Sequence, residues 1–188
     1  MSPEEVNAAT RHWVETVVID LNLCPFAKRE LVRDRIRFVC SEAEDEEGLL
    51  LELQAELQML QDDPSIETTL LSHPWVLTDF ETYNQFLDLI DALLSEMRLT
   101  GELQVASFHP DYRFEGTEQD DVENSTNKSP YPMLHLIRES SLEEAIENYP
   151  DPENIPNRNI ETVERLGKAK MGQLLADCFK AARGKAEA

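Results

Sequence analysis

IRFVCSEAEDEEGLLLELQAELQMLQDDPSIETTLLSHP, residues 36–74, decides the fold class. Its two ends have the β-branched and aromatic content of strands. Between them Leu49, Leu50, Leu53, Leu57 and Leu60 recur at helical spacing, Ser41 to Glu44 offer capping side chains, and Pro64 stops the run. Strand, helical crossing, strand is the pattern of parallel pairing through a right-handed connection.

The same reading extends outward. Ser2-Pro3-Glu4-Glu5 predicts a capped helix whose face is Val6, Ala9, Trp13 and Val17, ending near Asn22. Cys24-Pro25 interrupts it, and Pro25 opens a second short helix with Cys24 as its N-cap. Downstream, Thr78 and Glu81 form a capping box for a helix through Phe80, Tyr83, Leu87, Ile90, Leu94 and Met97, closed by Gly101. LQVASFH (103–109) and MLHLIRE (133–139) read as strands. Ser141 with Glu144 starts a further short helix, and a last one runs from Ile160 to about Arg183. The expected architecture is a single α/β domain over 1–188, a layered fold with a mixed, mainly parallel four-stranded sheet. Its strands lie near 36–42, 68–73, 103–109 and 133–139, and helices, including the terminal ones, pack on it. The fourth strand follows a loop and is expected antiparallel to the third. Residues 184–188 are expected to be a flexible tail.

Composition narrows the function. The chain has 188 residues, 38 acidic against 17 basic side chains and a net charge of −21. Phosphate backbones and anionic bilayers repel such a surface, which argues against nucleic-acid and membrane partners. No apolar run is long enough to cross a bilayer, and the polar, acidic start is unlike a signal peptide. Cys24, Cys40 and Cys178 are odd in number and widely separated, as free thiols in a reducing compartment would be. A cytoplasmic location is expected; oligomeric state is not legible.

Ligands of open α/β sheets gather at the carboxyl ends of strands. Two His-Pro pairs stand at such ends, His73-Pro74 and His109-Pro110. His109 also opens the long segment 110–132, with Tyr112 and Phe114 at its start and Pro130-Tyr131-Pro132 at its end, a loop or lid. There Asp111 is placed to orient the imidazole, and Asn124, Asn127 and Lys128 offer hydrogen bonds and charge. Arg138 and Arg158 are the cations suited to clamp an anion. As an N-cap with Lys28 and Arg29 one turn on, Cys24 is expected to have a lowered pKa and to serve as nucleophile or ligand. Each of these residues equally admits a packing role, and Cys40 and Cys178 read as packing. His135 lies mid-strand between Leu134 and Leu136, with its facing open. A metal held by Cys24, His109 and Asp111 lacks the short spacings of a metal motif, and six glycines leave no nucleotide-cradling loop.

WVETVVIDLNLCPFAKRE (13–30), GELQVASFHPDYRF (101–114) and NSTNKSPYPMLHLIRE (124–139) resemble a bacterial family known as domain of unknown function 1415. The likeness runs from about residue 5 to 180 and implies a small cytoplasmic protein. It brings no activity, cofactor or catalytic residue.

Two functions are therefore expected. One is an enzyme of hydrolase or transferase type acting on a small anionic metabolite. In it Cys24, His109 and Asp111 are catalytic, and Arg138, Asn127, Asn124, Lys128, Arg158 and His73 bind substrate. The other is a non-catalytic module for a small ligand or a protein, in which Cys24 and His109 are structural. No redox cofactor is indicated, and the cofactor is otherwise unknown.

Overall fold

The computed structural model describes residues 1–186. It is an α/β fold of six α-helices and one four-stranded sheet. The sheet comprises β1 (Ile36–Cys40), β2 (Thr68–Ser72), β3 (Leu103–Phe108) and β4 (Met133–Arg138) in the order β1-β2-β4-β3. Only β1 and β2 pair in parallel, and β4 is antiparallel to both β2 and β3. The expectation of a mainly parallel sheet is thus corrected. β1, β2 and β3 do run the same way, but β4 enters between β2 and β3 and converts what would be a parallel pair into two antiparallel ones. The long segment before β4 makes this path available, because it returns the chain to the edge from which β3 left.

Alternation along the strands sorts two cores. One sheet face sends Val39, Leu71, Leu134, Leu136, Leu103 and Val105 against α3 (Glu46–Asp62) and α4 (Phe80–Glu96). The other sends Ile36, Phe38, Leu70, Met133 and Phe108 against α1 (Pro3–Trp13) and α6 (Ile155–Ala186). Leu49, Leu53, Leu57 and Leu60 of α3 are fully buried, as their spacing requires. At typical burial energies each contributes on the order of 2 kcal/mol.

Cap chemistry agrees in kind and shifts in position. Ser2 and Glu5 close the capping box of α1 as read. α3 is capped by Asp45, whose carboxylate accepts from the Gly48 N–H at 2.8 Å, while Ser41 turns to the Ala43 N–H instead. α4 is capped by Asp79, accepting from Thr82 at 2.9 Å, in place of Thr78 and Glu81. α2 (Ala27–Val32) begins at Ala27 with Phe26 as N-cap, so Cys24 is not the cap. α5 (Glu139–Glu147) starts directly after β4, two residues before Ser141. Inside α6 the path breaks at Gly167, whose φ of 77° and ψ of 160° are open essentially to glycine alone. Of the tail expected at 184–188, the backbone is helical to Ala186 and residues 187–188 lie outside the described ones.

The segment 110–132 is tied rather than loose. It carries a 3-10 turn (Val122–Thr126), and the buried Asn124 side chain knots it. Asn124 Oδ1 accepts from the Phe114 N–H at 3.0 Å and from Thr117 Oγ1 at 2.9 Å, while its Nδ2 donates to the Glu118 carbonyl at 2.8 Å. Outside the knot, Trp13 Nε1 donates to the Lys128 carbonyl at 3.1 Å, and Lys168 pairs with Asp120.

Candidate functional site

A cavity of roughly 580 Å3 lies between the second sheet face and the helices above it. Its floor includes Thr68, Leu70, Phe108, His135 and Ile137; its walls come from the end of α1, the segment 14–26, α2 and α5. The walls are mainly apolar, and the volume suits a small organic molecule. A second hollow, beside Trp75 and Glu44–Glu47, is open to solvent and offers only exposed carboxylates and one exposed indole.

The cavity exists because α1 does not continue as a regular helix. Val14–Ile19 is π-helical, and the Asp20 N–H reaches back to the Glu15 carbonyl at 3.1 Å. The wider turn swings Val14 and Val18 over the sheet; such insertions recur at functional sites. Asn22 then takes a positive φ of 56°, and the Leu23 N–H bonds the Val18 carbonyl at 2.9 Å, reversing the chain. Asn159 of α6 pins the reversal by donating to the Leu23 carbonyl at 2.8 Å. This presents Cys24, half-buried, to the cavity wall. Burial pushes the Cys24 thiol up, and the N–H groups of Phe26 and Ala27 directed at the sulfur offset this only in part. The N-cap position expected for Cys24 belongs to Phe26, and burial favours the protonated thiol over the expected thiolate. Cys40 and Cys178 are likewise raised by burial, each to about 11.

His109 is fully buried but does not line this cavity. It packs on the α4 side of the sheet, its ring 5.1 Å from that of Tyr83 and 5.4 Å from that of Phe80. Its Nδ1 accepts from the Asp111 backbone N–H at 3.0 Å, which leaves Nε2–H to donate to the Leu77 carbonyl at 3.3 Å. The orienting group is thus the backbone of Asp111; its side chain is exposed. His73 joins the same packing, its ring stacked 5.7 Å from Tyr83 and its Nδ1 on the Val76 carbonyl at 2.9 Å. The shared direction of β2 and β3 brings the two His-Pro histidines together around Tyr83. It does not bring either to Cys24. Among the described residues no group of three or more His, Cys, Asp or Glu is assembled to hold a metal, so the variant with Cys24, His109 and Asp111 as ligands has no support here.

The cations expected to clamp an anion are occupied. Arg138 touches the cavity, yet its guanidinium donates to the carbonyls of Leu60, Asp63 (2.9 Å) and Ile66 (3.1 Å), closing the carboxyl end of α3. Arg158 donates to the Asp151 carbonyl at 2.8 Å and lies over the Tyr149 ring. Lys128 Nζ reaches the Gln119 carbonyl at 3.5 Å. Arg29 at the rim is paired with Glu30 at 2.6 Å, and Arg35 bridges Glu30 and Glu67. Asn124 is spent inside the loop. Asn127 lines the cavity with Thr126, although its Nδ2 is drawn to the Ser107 carbonyl at 3.4 Å.

The residue that sequence reasoning left undecided, and did not count among the site residues, is His135. Alternation along β4 places it on the cavity face, between core residues Leu134 and Leu136 on the other. Its Nε2 lies 2.7 Å from Thr68 Oγ1. Burial holds its pKa down at about 4, so the ring is neutral at physiological pH. The signal was present: a polar side chain between Met133 and Ile137 on one face of a largely apolar strand needs a polar partner or a ligand.

No helix among the described residues is long and apolar enough to cross a membrane. No curated protein and no solved structure is detectably similar to the chain. A family model described as "Protein of unknown function (DUF1415)" matches residues 5–173, and the chain belongs to that family.

Proposed function

We propose that this protein binds a small, uncharged, largely apolar molecule in the cavity above the sheet, between Cys24 on the wall and His135 on the floor. The observation that carries the reading is the cavity itself, whose exposed lining surface is mainly apolar although polar side chains stand around it. An anionic ligand is the poorer fit. Arg138, Arg29 and Arg158 already have partners, and of the carboxylates lining the space Glu30 and Glu67 are paired with arginines while Glu144 adds a negative charge. A nucleophilic role for Cys24 is also the poorer fit, since the thiolate is disfavoured by burial. This favours the ligand-binding module over the hydrolase or transferase.

Trp13 reports on the cavity that it lines, and a Trp75→Phe variant removes the exposed second indole. Titration with an uncharged bicyclic aromatic, such as naphthol, is expected to change Trp13 emission and raise the melting temperature; naphthoate, its carboxylate counterpart, is expected to bind far more weakly. If naphthoate binds as tightly, or if neither compound changes emission or melting, the proposal fails. Native mass spectrometry of the protein as purified would show any molecule already bound.

A further inference from the structure

His135 has a defined tautomer, and the hydrogen bonds around it reveal which. Thr68 Oγ1 lies 2.5 Å from the Leu136 carbonyl, which can only accept, so the single hydroxyl proton of Thr68 is spent there. The same oxygen lies 2.7 Å from His135 Nε2 and can take part in that contact only as acceptor. Nε2 therefore carries the proton, and Nδ1 keeps a lone pair. No side chain or backbone group among the described residues bonds Nδ1, and no charged group is near enough to shift the ring, whose depressed pKa arises from burial alone. His135 lines the cavity, and Nδ1 is not among the fully buried atoms left without a partner, so its lone pair is reachable from the cavity, where a ligand donor can supply the missing proton.

We propose that His135 Nδ1 is the specificity-determining acceptor of the pocket, selecting molecules that carry an N–H or O–H on an apolar body, of the aromatic alcohol or indole type. The inference rests on the reading of the cavity as a ligand pocket and adds what the ligand must present. Apolar walls contribute affinity to any molecule of the right size; only a donor satisfies the imidazole, so discrimination resides in that one bond. Thr68 is a positioning residue: it never meets the ligand through its proton, but it fixes which ring nitrogen is bare.

The test compares naphthol with methoxynaphthalene, which share a carbon skeleton and differ in the donor, by calorimetry on the full chain. Naphthol is expected to bind about tenfold more tightly, as for one added hydrogen bond in an apolar pocket. In His135→Leu the ratio is expected to fall to about one through loss of naphthol affinity, with methoxynaphthalene little changed. Thr68→Val, which frees the tautomer, is expected to reduce the ratio part of the way. NMR of the imidazole nitrogens in the ligand-free wild type gives a readout independent of any variant: Nε2 protonated, Nδ1 bare. Equal binding of the two probes, or a protonated Nδ1, overturns this inference and leaves the pocket standing. Binding of neither overturns both.

Discussion

His73 offers the sharpest quantitative prediction. It is fully buried, its Nδ1–H donates to the Val76 carbonyl, and its Nε2 has no partner. Burial, with a smaller contribution from His109, lowers its pKa from 6.5 to about 4. The unfolded chain accepts a proton on this ring near 6.5, whereas the folded chain resists until about 4. Stability contributed by the neutral ring is therefore complete above 6.5 and is lost as pH falls through the interval to about 4. Between about pH 7 and pH 5 this one residue should withdraw about 2 kcal/mol, with about 3 kcal/mol as its limit in stronger acid. The perturbation is His73→Asn, which keeps an N–H donor near the position of Nδ1 and removes the titration. The assay is urea unfolding at both pH values; urea carries no charge to screen a molecule of net charge −21. The carboxylate background is common to both proteins, so subtracting the wild-type pH dependence from that of the variant isolates the ring. The variant is expected to lose about 2 kcal/mol less than wild type over the interval. Parallel curves would refute the reasoning and place the proton-resisting group elsewhere.

Other outcomes follow from the site and its supports. Cys24 should react slowly with a small alkylating reagent at neutral pH, accelerate only in the alkaline range, and be protected by a cavity ligand; a rate already at its plateau near pH 7 would contradict the raised thiol. Gly167→Ala meets no atom within 4 Å but forces an L side chain into glycine-only backbone, and should cost about 1–3 kcal/mol in urea unfolding. Arg138→Met strips three carbonyls of their donor and should destabilise by about 2–4 kcal/mol. Its affinity for an uncharged probe should stay within about twofold of wild type, whereas a substrate clamp would lose far more.

Strand and helix content was legible because it rests on local pattern. The leucine repeat of α3 and the β-branched runs at 36–40 and 68–72 each needed only their own residues to be read. Sheet order was not legible, because β4 is placed by a tertiary choice: a knotted segment, built on Asn124, that carries the chain back across the sheet edge. The candidate site divided along the same line. Cys24 was found because Pro25 marks a break, but its pKa depends on what folds over it, and burial outweighs the two amides. His109 drew notice from the loop beside it; its ring proved to be held by backbone groups of Asp111 and Leu77. His135 needed the facing of β4, which single-sequence alternation leaves two-valued between apolar neighbours.

The insertion of β4 has a consequence for assembly. During synthesis β3 emerges before the only strand it pairs with, and β2 waits with one edge unpaired until residues 133–138 arrive. The first two strands and α3 can close locally, but the rest of the sheet is a late event of high contact order. Chains ending before β4 would expose two unsatisfied edges at once, and such fragments should aggregate more readily than the 188-residue chain.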